Sequence, residues 1–136
     1  MSNEYKDWKR DLQEIFEEKV KELDTLYDGW TNSFIPQLKD ELFNLLGSYV
    51  EHFNVLCSKE KFGRLVLYWH FDLDGLKDEY VQDIERLYEQ IENLLQKYAE
   101  LSSKTCIICG EPGVMRDDFW ITPWCDKCYE KRYEVN

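Results

Sequence analysis

The chain has 136 residues, 43% of them hydrophobic and 15% aromatic, enough for one globular core but too short for two ordinary domains. Five tryptophans exclude disorder as the dominant state. With 28 Asp and Glu against 17 Lys and Arg, the formal charge of −11 disfavours nonspecific nucleic-acid binding and suits a basic protein partner or none at all.

The acidity is uneven. Residues 1–30 carry nine acids and five bases, and residues 72–100 carry nine acids and three bases. Residues 31–71 balance at four of each. No apolar run has membrane-spanning length, and Met1-Ser-Asn-Glu-Tyr-Lys-Asp-Trp8 does not read as a signal peptide. A cytoplasmic location is expected.

Tyr5, Trp8, Leu12, Ile15, Phe16, Val20, Leu23 and Tyr27 recur at spacings of three and four. They predict one amphipathic helix from Asn3 to about Tyr27, ended by Asp28-Gly29. A second helix is expected from about Phe34 to Leu46, with Ser33 as cap, Pro36 in the first turn and Gly47 as stop. Over residues 48–72, Tyr49, Phe53, Val55 and Cys57 alternate with Val50, His52, Asn54 and Leu56. The run Leu65–Phe71 is apolar, and Ser58–Gly63 between them reads as a turn. This pattern predicts a β-hairpin, although Leu46, Tyr49, Val50 and Phe53 equally allow the preceding helix to continue.

The last helical stretch is the most regular. Tyr80, Ile84, Leu87, Ile91, Leu94, Tyr98 and Leu101 alternate four-three spacings, predicting a helix from Leu76 to Leu101 begun at Asp72 or Asp74. Such a seam permits a homodimer through Tyr80–Leu101. Val81, Tyr88 and Leu95 widen the stripe, which favours packing within the chain on the first helix. The acidic sides of the first and third helices are read as solvated faces. A sharper reading has them mimic the phosphate spacing of nucleic acid.

Cys106-Ile-Ile-Cys109 and Cys125-Asp-Lys-Cys128 are the strongest signal. Two CxxC pairs form two knuckles around one tetrahedral metal, with Gly110 turning backbone N–H groups toward sulfur. Pro112-Gly113 fits a type II turn, and Val114–Arg116 with Phe119–Thr122 a short hairpin about Asp117-Asp118. Together they read as a zinc ribbon. Four thiolates fill every coordination position, so Cys106, Cys109, Cys125 and Cys128 are expected to hold one structural Zn²⁺ and no catalytic water. An odd total of five cysteines argues against disulfides. Lys104, Arg116, Lys127, Lys131 and Arg132, with Trp120 and Trp124, allow a nucleic-acid-binding ribbon. The absence of net local positive charge instead favours tryptophans that pack the ribbon onto the long helix.

Several pieces stand together from Asp28 to Cys128. They are Asp28-Gly29-Trp30; Lys59-Glu-Lys-Phe-Gly63 leading to Leu65 and Tyr68; Cys106-x-x-Cys-Gly-x-Pro-Gly113 with Arg116 and Trp120; and Cys125-Asp126-x-Cys128. This combination resembles a family of small, largely uncharacterised bacterial and phage proteins. In that family the residues after Gly63 tend to read Gly-Leu-Arg-Phe-Tyr, whereas here Arg64-Leu65-Val66-Leu67-Tyr68 lacks the usual arginine. The resemblance implies a common fold and a zinc-binding end, and no activity. Small acidic phage proteins can inhibit host defence systems, which makes that role an expectation to test.

Enzyme motifs are sparse. His70-Phe-Asp72-Leu-Asp74 offers an imidazole and carboxylates to a divalent metal, the basis of a hydrolase reading, but a strand end leading into a helix cap explains the same residues. Cys57 is expected to be buried and inert. The expected fold is therefore α+β and mainly helical. A body over 1–103 would contain the hairpin, with a zinc-ribbon module over 104–136 packed on it. The expected function is a noncatalytic interaction or inhibitor protein.

Overall fold

A computed structural model of the chain describes residues 2–118 and 120–132, with side chains from Trp8 onward. Tyr5 and Phe119, assigned above to a helix face and a strand, have side chains outside those described. The fold is α+β, with a β-hairpin and a C-terminal four-cysteine cluster.

Helix α1 spans Ser2–Lys19, and its inner stripe buries Leu12 and Phe16. It stops well before Tyr27. A 3-10 helix follows over Lys21–Thr25, opened by a bond from the Leu23 N–H to the Val20 carbonyl at 3.0 Å. The tighter winding turns Leu23 fully inward. Lys19 marks the end of α1, where its ammonium donates to the carbonyls of Val50, Glu51 and Phe53 at 3.0, 2.9 and 2.6 Å. Asp28-Gly29 does not end a helix. It begins the four-residue α2, Asp28–Thr31, which places Trp30 at the centre of the core.

Helix α3, Ile35–Leu46, matches expectation, with Pro36 in its first turn and Gly47 at φ 54° closing it. Ser33 is not its cap: the hydroxyl donates to the Gly29 carbonyl at 2.5 Å. The chain then stays helical through a 3-10 segment, Gly47–His52, that lies against α1. Of the two readings open for this stretch, helix holds to His52 and strand begins at Phe53.

Strands β1, Phe53–Lys61, and β2, Arg64–Phe71, form an antiparallel pair from Phe53↔Phe71 to Lys61↔Arg64. The expected six-residue turn shrinks to two residues. Phe62 and Gly63 both lie in the left-handed region, at φ 53° and 83°, as a tight hairpin turn with right-handed twist requires. A bulge between Val55 and Cys57 inserts Leu56, which is exposed, and reverses the inside–outside alternation beyond it. Cys57 consequently pairs with outward-facing Tyr68 and is only half-buried, contrary to expectation.

After β2, the Asp74 N–H donates to the Asp72 carboxylate at 3.0 Å, and Gly75 turns at φ 83°. A 3-10 turn over Asp78–Tyr80 leads into α4, Val81–Ser102, so the long helix starts later than Leu76 and neither aspartate caps it. Ile84, Leu87, Ile91 and Tyr98 of the seam are buried, while Tyr80 and Leu101 at its ends are exposed. Its main packing partners are β2 and α3 rather than α1. Among the residues thought to widen the stripe, Val81 is exposed and Tyr88 lies across Trp69, with ring centroids 4.6 Å apart.

The C-terminal part adds strand β3, Val114–Arg116, paired with β4, Thr122–Trp124, and helix α5, Asp126–Lys131. Strand β4 begins three residues later than the expected Phe119. Gly113 is not among the left-handed glycines, so Pro112-Gly113 is not a type II turn. Pro112 instead bridges Thr105, and the Gly113 N–H reaches the Lys104 carbonyl at 2.7 Å.

Candidate metal centre

The four cysteines converge as their spacing requires. All four sulfur atoms lie within 4.8 Å of one another, and Cys109 and Cys125 are 3.6 Å apart. A tetrahedral Zn²⁺ with bonds of about 2.3 Å would hold its sulfurs about 3.8 Å apart, so the donor set fits with little adjustment. Cys106 is fully buried and Cys109 exposed, while Cys125 and Cys128 are half-buried.

Both knuckles are built from the backbone outward. In the first, Gly110 adopts φ 82° and its N–H donates to the Cys106 carbonyl at 3.1 Å. The Cys106 N–H reaches the Glu111 carbonyl at 2.8 Å, and the Ile107 N–H the Pro123 carbonyl at 3.1 Å. In the second, Cys125 precedes α5 and its sulfur accepts the Cys128 N–H at 3.3 Å.

Proton chemistry points to a cation. Burial pushes the Cys106 thiol up, but donors from the Cys109, Cys125 and Ile108 backbone outweigh it and bring it down to about 7. Burial, then the sulfurs of Cys125, Cys109 and Cys106, push Cys128 up to about 12. Four thiolates this close repel one another, and a divalent ion among them removes the conflict.

The first knuckle is fastened to the helical body by contacts the sequence did not reveal. The Gly29 N–H donates to the Ile107 carbonyl at 2.9 Å, and the buried Trp30 indole to the Thr105 carbonyl at 3.1 Å. A Cβ on Gly29 would stand 2.0 Å from the Cys106 carbonyl, and one on Gly110 2.7 Å from the Gly29 carbonyl. The signal was present in Asp28-Gly29-Trp30, but a helix stop accounted for that glycine equally well. Ile107 and Trp124 extend the body's core toward the cysteines.

The second knuckle is braced by α5. Tyr129 lies between the guanidiniums of Arg116 and Arg132, 4.1 and 3.3 Å from the ring centroid. Arg116 also pairs with Asp126 at 2.6 Å and Arg132 with Asp118 at 2.9 Å. Of the two tryptophans expected to pack on the long helix, Trp124 packs against the hydrophobic core, whereas Trp120 is 81% exposed.

The other candidates do not assemble. His70 is paired across the hairpin with Asn54 and is exposed. His52, the other histidine, bonds through its ring nitrogen to the Asp72 backbone carbonyl at 3.0 Å. Among the described residues, the four cysteines are the one group of His, Cys, Asp and Glu side chains close enough together to hold a metal. No helix of the described residues is long and apolar enough to cross a membrane. Comparison with protein-family models, curated proteins and solved structures finds no match.

Proposed function

We propose that Cys106, Cys109, Cys125 and Cys128 hold one structural Zn²⁺, and that the chain is a noncatalytic interaction protein whose C-terminal module depends on that ion. The observation carrying this reading is the closed, four-sulfur donor set seated on the body through Gly29 and Trp30. A zinc bound there supplies cross-linking energy to a segment with few apolar side chains of its own. With all four positions taken by sulfur, no site remains for an activated water.

The finer reading is that the acidic sides of α1 and α4 engage a basic protein partner in a bacterial cytoplasm. An inhibitor of a host defence system, phage-encoded as the motif resemblance suggests, would fit this. Support comes from charge alone. Glu85 and Glu89 stand exposed on α4, and residues 72–100 carry six more acids than bases. Within this reading residues 104–136 act as the metal-dependent module and 1–103 as the body; the Tyr80–Leu101 seam packs within the chain on β2 and α3, which leaves it no face for a homodimer.

The test has two arms. Metal analysis of the purified protein should find one zinc per chain, lost when Cys106 and Cys128 are both replaced by Ser. Affinity capture from host lysate should retain basic proteins, released by charge reversal at Glu85 and Glu89. Absence of zinc from freshly purified folded protein would refute the first claim. Capture that survives the charge reversal would refute the second.

A further inference from the structure

The hairpin turn carries a feature that folding alone does not call for. Its first residue, Phe62, is held at φ 53°, where a bulky L side chain is strained and Asn or Asp is favoured. The ring is nevertheless 68% exposed and is absent from the core. A large aromatic kept in an unfavourable conformation and turned to solvent is a functional signal.

The turn does not project alone. Gly63 sits so close to the ribbon that a Cβ there would meet the Met115 sulfur at 2.5 Å and the Ile121 carbonyl at 2.8 Å. This contact places Phe62 beside the β3–β4 loop that carries Trp120. A cleft of about 240 Å³ is lined there by Trp120, Trp124, Tyr129, Arg116, Arg132 and the Asp118 carboxylate. Around the turn, Lys59, Lys61 and Arg64 are exposed, and among the described residues none of the three is ion-paired. Lys59 instead lies over the exposed Tyr68 ring, 5.4 Å from its centroid.

We propose that this end of the molecule is a binding surface for single-stranded nucleic acid. Phe62 and Trp120 supply open π faces for bases, and Lys59, Lys61 and Arg64 supply cations for the intervening phosphates. Duplex is a poorer fit, because no helix is offered to a groove and three cations cannot anchor a rigid, doubly charged rod. The overall charge of −11 limits the strength of binding but not its place. At physiological ionic strength, charges more than about 8 Å away are largely screened, and close to the turn Lys59, Lys61 and Arg64 stand with the carboxylates of Glu60 and Glu92, three cations to two anions. An acidic protein segment would be attracted by the same cations. Two open aromatic rings beside them favour bases.

The experiment uses the zinc-loaded full chain and a fluorescein-labelled fifteen-nucleotide oligo-dT, read by anisotropy and tryptophan quenching. Binding is expected at low salt and should weaken about twentyfold between about 50 and 200 mM, as release from three phosphates implies. Trp120→Ala should cost about tenfold, and Lys61→Glu with Arg64→Glu should abolish binding at low salt. Phe62→Asn is the sharpest variant. It relieves the turn, so melting temperature should rise while affinity falls about tenfold. The proposal is overturned by no binding to the wild-type chain at low salt. It is equally overturned if Trp120→Ala and Phe62→Asn leave affinity unchanged, or if poly-glutamate binds more tightly with the same dependence on both rings. None of these outcomes bears on zinc stoichiometry or on capture through α4.

Discussion

The outer face of α4 and the hairpin–ribbon end show opposite ways of making a surface. On α4 most apolar residues turn inward on a single stripe, and what remains outside is mostly polar, with five carboxylates against two cations. At the hairpin–ribbon end, large apolar and aromatic side chains stand outside among cations. The first surface follows from helical periodicity and needs no partner to explain it. The second leaves apolar area in water and holds Phe62 against its backbone preference, and neither is explained by folding. A surface that costs stability says more about function than one that folding produces unaided.

Metal removal should separate the two regions most widely. Chelation, or Cys106→Ser, should remove a contribution of about 10–16 kcal/mol, unfold residues 104–132 and scatter the aromatic end, while α4 keeps its helical signal. Amide exchange and near-ultraviolet circular dichroism with and without chelator would read this. Loss of the α4 helix on the same scale would show that the regions are not separable. Lower pH should act in the same direction. Cys109 and Cys128 are held above the ordinary thiol value and must release protons to bind metal, so zinc affinity should fall from about pH 8 to about pH 6. A competition titration with a chromophoric chelator checks it.

Gly29→Ala comes next. Its Cβ would meet backbone on the knuckle, not a flexible side chain, so we expect a loss of several kcal/mol, at least the ~1–3 kcal/mol of an overpacked core. Urea unfolding of the zinc-loaded protein would measure it, and zinc affinity should drop in parallel. Lys19→Met should cost about 1–3 kcal/mol, because three carbonyls lose a charged donor. Reversing Glu85 and Glu89 should shift stability by no more than about 0.5 kcal/mol, since both carboxylates face solvent. That small shift is what makes the pair a clean probe of partner binding.

Legibility in the sequence followed the range of the interaction. Helix α3 and most of α4 were readable because periodicity and the Pro36 and Gly47 signals are local. The four cysteines were readable because two-residue spacing is itself the knuckle geometry. Three features escaped, each decided by a distant contact. The first helix ends at Lys19, whose ammonium is held by carbonyls more than thirty residues away. The strand pattern near Cys57 was misread because one bulged residue, Leu56, reverses the alternation, and no residue type announces a bulge. Gly29 looked like a helix stop because its neighbour in space, Cys106, is far along the chain.

The close pair Gly29 and Gly110 has one more consequence. Because the knuckle backbone rests on the body with no side chain between them, an ion that holds the knuckle folded also holds this contact in place. Metal binding to the folded chain then adds to its stability by mass action, growing with the logarithm of free zinc over the dissociation constant. Chains that hold zinc should therefore resist proteolysis longer than chains stripped of it, a difference that traces to two missing methyl groups.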